Sequence, residues 1–205
     1  MPIKKIIIGV VNPDLIQSNF ERAYQQLVDS INLLGYNVTK DKNFDGTADR
    51  CTRAFLEVVA PKEDIEKEVK KHLSATFPAK YDEMIVQTDI EVISLCPHHL
   101  IPVEMNVHLA YIPRHKVLGL SKLVRIARVI GRQPILQEDY TQQLAEAMQR
   151  LNPLGVAVFV KGKHGCMRFR GVKTKNGHTI TSCMVGAFKK HQATREEFLE
   201  LCRHV

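Results

Sequence analysis

Residues 85–111 read IVQTDIEVISLCPHHLIPVEMNVHLAY, and their patterning decides the class of fold. Val103, Met105, Val107, Leu109 and Tyr111 alternate with Glu104, Asn106, His108 and Ala110, the period of a half-buried strand. Ile85–Leu95 is rich in β-branched residues and is its plausible partner strand. On the C-terminal side, 121–130 and 139–151 read as helices. Residues 155–161, 166–173 and 179–188 read as strands, and Thr194 with Glu197 forms a capping-box pattern that opens a last helix.

On the N-terminal side, Phe20, Tyr24, Leu27, Ile31 and Leu34 form a helical stripe that Gly35 is placed to end. A second helix is expected over 47–60, stopping before Pro61, and a third with Ile65, Val69 and Leu73 on one face. The first 80 residues therefore read as helical, apart from a possible opening strand at 6–11. Helices, two strands, two helices, two or three strands and a helix imply an antiparallel α+β fold. The expected division is a helical region at 1–80 and a catalytic domain at 81–205.

At 205 residues the chain can bury a sizeable core. With 44% hydrophobic and 25% charged residues, it is neither disordered, collagenous nor a coiled coil. Trp is absent and aromatics make up 6%, which argues against an aromatic-rich carbohydrate or single-strand binding surface. No apolar run reaches the roughly 18 residues that span a bilayer. The run at 6–11 is too short for a secretory leader, so a cytoplasmic protein is expected. Five scattered cysteines, an odd number, argue against a disulfide framework. The net charge of +7 suits a polyanionic partner, nucleic acid or a phosphorylated small molecule.

Chemistry concentrates in a few places. Cys96-Pro97-His98-His99 has the C-x-x-H spacing that lets two side chains meet one metal, and His164-Gly165-Cys166 is a second cluster. If 164–170 is a strand, His164, Cys166, Arg168 and Arg170 face one side. Cys96, His99 and Cys166 would make a three-ligand zinc site with a fourth position open to water, the mark of a catalytic metal. The alternative is a pair of buried cysteines near unrelated histidines. Ser121 is a good N-cap, with Lys122 in the first turn and Arg125 one turn on. A phosphate between those cations would suit the helix N-terminus; a solvated basic face is equally compatible. Residues 161–175 hold six Lys or Arg and no acid, enough to grip a triphosphate or simply an exposed basic hairpin. Gln137-Glu138 stands at a helix start, where the carboxylate could accept the amide edge of guanine or merely favour the helix dipole.

Six segments occur together and in order: SLCPHHLIP (94–102), VHLAYIP (107–113), VLGLSKLVRI (117–126), RQPILQEDYTQQL (132–144), KHGCMRFRG (163–171) and TREEFLELCR (194–203). With them the chain resembles the GTP cyclohydrolase I family over roughly residues 45–203. The resemblance implies conversion of GTP and water to formate and 7,8-dihydroneopterin triphosphate. It implies the tunnelling fold, with ββααββ units joined across subunits into a barrel, and a homodecamer of two facing pentamers with active sites at subunit boundaries. It implies Zn2+ held by Cys96, His99 and Cys166. His98 and His164 match the two proton-carrying histidines. Glu138, with Gln137 beside it, matches the anchor of the guanine edge. Ser121 and Lys122 match the pair near ribose and triphosphate, and Arg125, Arg170 and Arg50 match the basic contacts. No nucleic-acid or membrane partner is implied. The chain departs from the family pattern at Ala48, Pro97, Asp139, Tyr140 and Cys183. Rival readings are a related tunnelling-fold enzyme acting on another purine or pterin, a zinc-containing nucleic-acid binding protein, and a Cys96–His98 thiol hydrolase.

Overall fold

The computed structural model describes residues 12–203, so the strand expected at 6–11 lies outside the described residues. The chain divides into two compact units, Met1–Pro61 and Lys62–Val205. In the first, α1 (Pro13–Ile31) starts at Asn12, whose side chain accepts from the Asp14 and Leu15 amides. It ends in a 3-10 turn at Gly35, whose φ of 90° is the left-handed conformation that glycine adopts without steric cost. Phe20 and Tyr24 pack their rings on Phe55 of α2 (Thr47–Val58), with centroids 4.8 and 6.4 Å apart.

The second unit begins with α3 (Lys62–Leu73), which buries Ile65, Val69 and Leu73, the three residues of the expected face. Its remaining elements are β1 (Thr76–Pro78), β2 (Ile85–Leu95), β3 (Pro102–Ile112), β4 (Lys116–Leu118), α4 (Leu120–Gly131), α5 (Gln137–Gln149), β5 (Gly155–His164), α6 (Gly165–Arg168), β6 (Thr179–Gly186), α7 (Ala187–Lys190) and α8 (Gln192–Arg203). The strand β1 lies inside the stretch expected to be helical; it pairs antiparallel with β4. The main sheet runs β2-β3-β5-β6, antiparallel throughout. Compact packing places α3 in the same unit as this sheet.

Period-two patterning assigns the two faces of the sheet. Ile90, Val92, Met105, Val107, Leu109, Val158 and Val160 are buried on the face that α4 and α5 cover. Those helices contribute Leu123, Ile126, Tyr140, Leu144 and Met148, all fully buried. On the other face, Phe188 and Phe198 close over Ala110 and Ala157. Alternation along β3 is therefore clean only at its start: Val107–Tyr111 is buried on both sides. Gly131 is required where α4 meets β2, because a Cβ there would collide with the Val92 side chain.

Three local expectations are corrected. Residues 166–173 are not a strand; β5 ends at His164 and the chain turns into α6. A Cβ on Gly165 would lie 2.6 Å from Ile101 Cγ2 and 2.8 Å from Pro102 O, so only glycine allows this close return. Gly171, at φ 60°, then bends the chain again. His164, Cys166, Arg168 and Arg170 consequently do not share a strand face. Ser121 is not an N-cap: Gly119 holds that position with extended backbone, and Ser121 is the second residue of α4. Thr194 does not cap α8 either, because His191 is the extended residue before the helix, which opens at Gln192.

Candidate metal centre and its histidines

The loop between β2 and β3 is tied by its own backbone. Cys96 N donates to Ile101 O at 3.0 Å, and Leu100 N donates to Cys96 O at 2.8 Å. Closing so short a loop puts Leu100 at φ 53°, a conformation costly for a residue with a side chain. Ile135 N donates to Leu95 O, and Ser94 Oγ donates to Gln133 O, which moors the loop to the α4–α5 connection. Pro97, His98, His99 and Leu100 are exposed, and Cys96 is buried.

The α6 turn brings Cys166 back to this loop. One donor atom each from Cys96, His99 and Cys166 lies within 4.8 Å of the others, a group able to hold a metal ion. Cys96 Sγ also lies 3.7 Å from both His98 Nδ1 and His99 Nδ1. Burial and the neighbouring Cys96 sulfur push the Cys166 thiol up, the situation a cation between two sulfurs relieves. Two thiolates and an imidazole are a soft-to-borderline donor set.

At the end of β5, His164 Nε2 lies 2.9 Å from Gln137 Oε1. Burial lowers the His164 pKa, and the Glu138 carboxylate works against that shift. Glu138 and Asp139 stand exposed in the first turn of α5, whose N-cap residue, Leu136, offers no side chain to the free amides. Gln137, expected beside the substrate, is only 2% exposed, and its amide nitrogen is within hydrogen-bond reach of Val160 O, Thr179 O and Thr181 Oγ1. Thr141, Thr181 and Gly162, which support it, have no motif that flags them in the sequence. Tyr140, one of the departures, is fully buried and donates to Ala127 O at 3.0 Å, pinning α5 to α4.

Of the expected phosphate-binding residues, Lys122 and Arg125 lie on α4, apart from this cluster. The start of α4 sits beside β1, where Gly119 N donates to Ala75 O, and beside Tyr111, whose hydroxyl accepts from Leu118 N. Lys122 and Arg125 are there, near His72 of α3, whose pKa burial lowers first and these two cations lower further. The metal cluster adjoins the other end of α4, about 14 Å along the axis from Lys122 to Gly131 at 1.5 Å per residue. Arg170 is exposed in the turn after α6 and acts electrostatically on Cys166. Arg50 belongs to the first unit, where its guanidinium donates to Asp45 O, Asn43 O and Thr47 Oγ1.

The chain matches the family model described as GTP cyclohydrolase I over residues 21–203. It is similar to the protein named GTP cyclohydrolase 1 of Pelotomaculum thermopropionicum, at 38% identity over 91% of this chain and 97% of that one. The namesake of Desulforamulus reducens is 39% identical over 88% of this chain and 94% of its own length. That of Saccharomyces cerevisiae is 44% identical over 82% of this chain and 68% of its own.

Proposed function

The chain belongs to the GTP cyclohydrolase I family, and from that premise we propose how its own residues carry the reaction. The activity is that of GTP cyclohydrolase I, which turns GTP and water into formate and 7,8-dihydroneopterin triphosphate, on the tunnelling fold of that family. The observation that carries the assignment of roles is the convergence of Cys96, His99 and Cys166, with His98 beside them and His164 two residues from Cys166.

Cys96, His99 and Cys166 would hold Zn2+. When bound, the ion supplies a Lewis acid that activates water for attack on C8 of the purine. The chain's own groups do the rest. His98 and His164 move protons to and from the opening five-membered ring, a task that imidazole serves because one ring nitrogen can accept a proton while the other donates one. Glu138 accepts the amide edge of guanine, and its place beside His164 sets the base within reach of that proton carrier. Ser121, Lys122 and Arg125 receive ribose and triphosphate at the uncapped start of α4, helped by Arg170 and Arg50.

Ser121 and Lys122 stand in the first turn of α4, the end remote from the Cys96–His99–Cys166 group. This separation supports a site completed between copies of the chain, in a homodecamer of two pentamers. All five cysteines are free thiols, which supports a reducing, cytoplasmic setting. Among the described residues, no helix is long and apolar enough to cross a membrane.

The test is incubation of metal-replete protein with GTP, followed by oxidation and fluorescence detection of neopterin phosphates, beside a Cys166→Ala sample. Neopterin from the parent chain, together with loss of both metal and product in the variant, is expected. A metal-loaded parent that makes no neopterin would overturn the GTP assignment and leave another purine or pterin as substrate.

A further inference from the structure

Gln137 is not free to touch a ligand. Its side chain crosses the end of β5 at Gly162, where an added Cβ would collide with Gln137 Oε1 and lie 2.9 Å from Cδ. Its amide nitrogen has two hydrogens and three neighbours able to accept them: Val160 O at 3.3 Å, Thr179 O at 3.0 Å and Thr181 Oγ1 at 3.1 Å. Two of these are backbone carbonyls, which can only accept. The opposite amide orientation would set Oε1 against those oxygens, so the nitrogen must face them.

The threonines settle the remaining directions. Thr141 Oγ1 donates to Gln137 O at 2.7 Å, and its hydroxyl lies 2.7 Å from Thr181 Oγ1. With the Thr141 proton spent, Thr181 donates to Thr141 and keeps a lone pair for the Gln137 amide. The donors run from Gln137 to Thr181, from Thr181 to Thr141, and from Thr141 back to the Gln137 carbonyl. The hydroxyl hydrogens each have one place to go and both amide hydrogens are taken up by acceptors, so Gln137 Oε1 is left as a pure acceptor facing His164 Nε2 at 2.9 Å.

We propose that Gln137 is a positioning residue that holds His164 in the tautomer with its proton on Nε2, leaving Nδ1 as the ring's only proton acceptor. Nδ1 is then the ring atom open to a ligand, while Nε2–H stays bonded to Gln137. Gln137 thus acts through His164 and not on the substrate, in contrast to the role that its place beside Glu138 suggested. The inference rests on the reading of His164 as a proton carrier.

The test has a spectroscopic and a kinetic arm on the zinc-loaded enzyme. In sedimented protein labelled with 15N-histidine, the His164 signals, identified by their loss in His164→Gln, should show a protonated Nε2 and a bare Nδ1. Gln137→Met, close in volume but with no donor and only a weak thioether acceptor, should mix the tautomers. It should lower kcat by about 10- to 100-fold, the usual cost of losing a group that orients a site ligand or imidazole, with KM and zinc content unchanged. Gly162→Ala leaves Gln137 in the chain but displaces its amide, and should move both readouts in the same direction. If Gln137→Met does not fold, the spectrum of the parent chain and Gly162→Ala carry the test. A raised KM with kcat retained would make Gln137 a substrate contact and overturn the proposal. A proton on Nδ1 in the parent chain, or variants that change neither readout, would overturn it as well. Absence of neopterin from the parent chain would instead defeat the proposed function, and the spectrum would still decide the tautomer.

Discussion

The loop 96–101 and the end of β5 each present a histidine near the Cys96–Cys166 pair, and they do so by opposite means. The loop is shaped by its backbone, through the Cys96–Ile101 and Leu100–Cys96 bonds and the left-handed Leu100. Its histidine side chains are exposed and meet the Cys96 sulfur, 3.7 Å away, and each other's rings, edge to face with centroids 6.2 Å apart. His164 sits on a regular strand, half-buried, and a buried amide with its own hydrogen-bond network orients the ring. A backbone-built loop gives a metal accessible ligands whose order the metal itself completes. A side-chain network on a strand holds a ring in place before any ligand arrives.

That contrast can be broken from both sides. His164→Gln and His98→Gln should each lower turnover of GTP by about 10²- to 10⁴-fold, the range for loss of a general acid or base, with metal stoichiometry retained. Loss of metal from His98→Gln, measured by elemental analysis, would show that the loop depends on this residue for more than proton transfer.

On the opposite face of the sheet, His108 is 5% exposed and lies against Phe159 of β5, with ring centroids 5.8 Å apart. Its Nδ1 has no partner among the described residues. Burial lowers its pKa; Asp89 opposes that shift and Lys161 adds to it. A folded-state pKa below the unfolded value of about 6.5 means that the unfolded chain takes up the proton first. The contribution to stability is therefore complete above that value and falls as pH drops through the folded pKa. Melting temperature should decline as pH falls below 6.5 in the parent chain, and less steeply in His108→Asn. Equal slopes for both proteins would place the pH dependence elsewhere.

Tyr140→Phe removes the hydroxyl that pins α5, the helix carrying Gln137, to α4. It should cost about 0.5–1.5 kcal/mol of stability by chemical denaturation, the net value of a hydrogen bond. Leu100→Gly should change stability least, within roughly 0.5 kcal/mol, because relief of left-handed strain offsets the entropy of a freer unfolded chain. A large loss would mean that the exposed Leu100 side chain is buried against a neighbour in the assembled enzyme.

Much of the fold was legible in advance. The helix ended at Gly35 and the face of Ile65, Val69 and Leu73 follow from periodicity, and β2 at 85–95 from its β-branched residues, although Leu27 and Leu34 of the expected stripe are exposed and Val28 is the buried residue of α1. The stretch 166–173 was misread because its composition suits a strand; what turns it is the absent Cβ of Gly165 against Ile101 and Pro102, a contact distant in sequence. The caps at Ser121 and Thr194 failed for a related reason: the extended backbone that a cap needs falls at Gly119 and His191 instead. Of the site, the candidate trio Cys96, His99 and Cys166 was readable from residue type, since few side chains bind a metal. The hydrogen bond between Gln137 and His164 was not.

The sequence by itself determined the α+β class, the antiparallel order and which residues could take part in metal and proton chemistry, since these depend on local pattern and on intrinsic side-chain properties. Tertiary structure alone decided which groups meet. It returned Cys166 to Cys96 through a glycine turn, moored the 96–101 loop to the α4–α5 connection, and turned the Gln137 amide onto His164. Each of these is a contact between distant segments, set by packing and by the need of buried polar atoms for partners, and neither leaves a local mark in the chain.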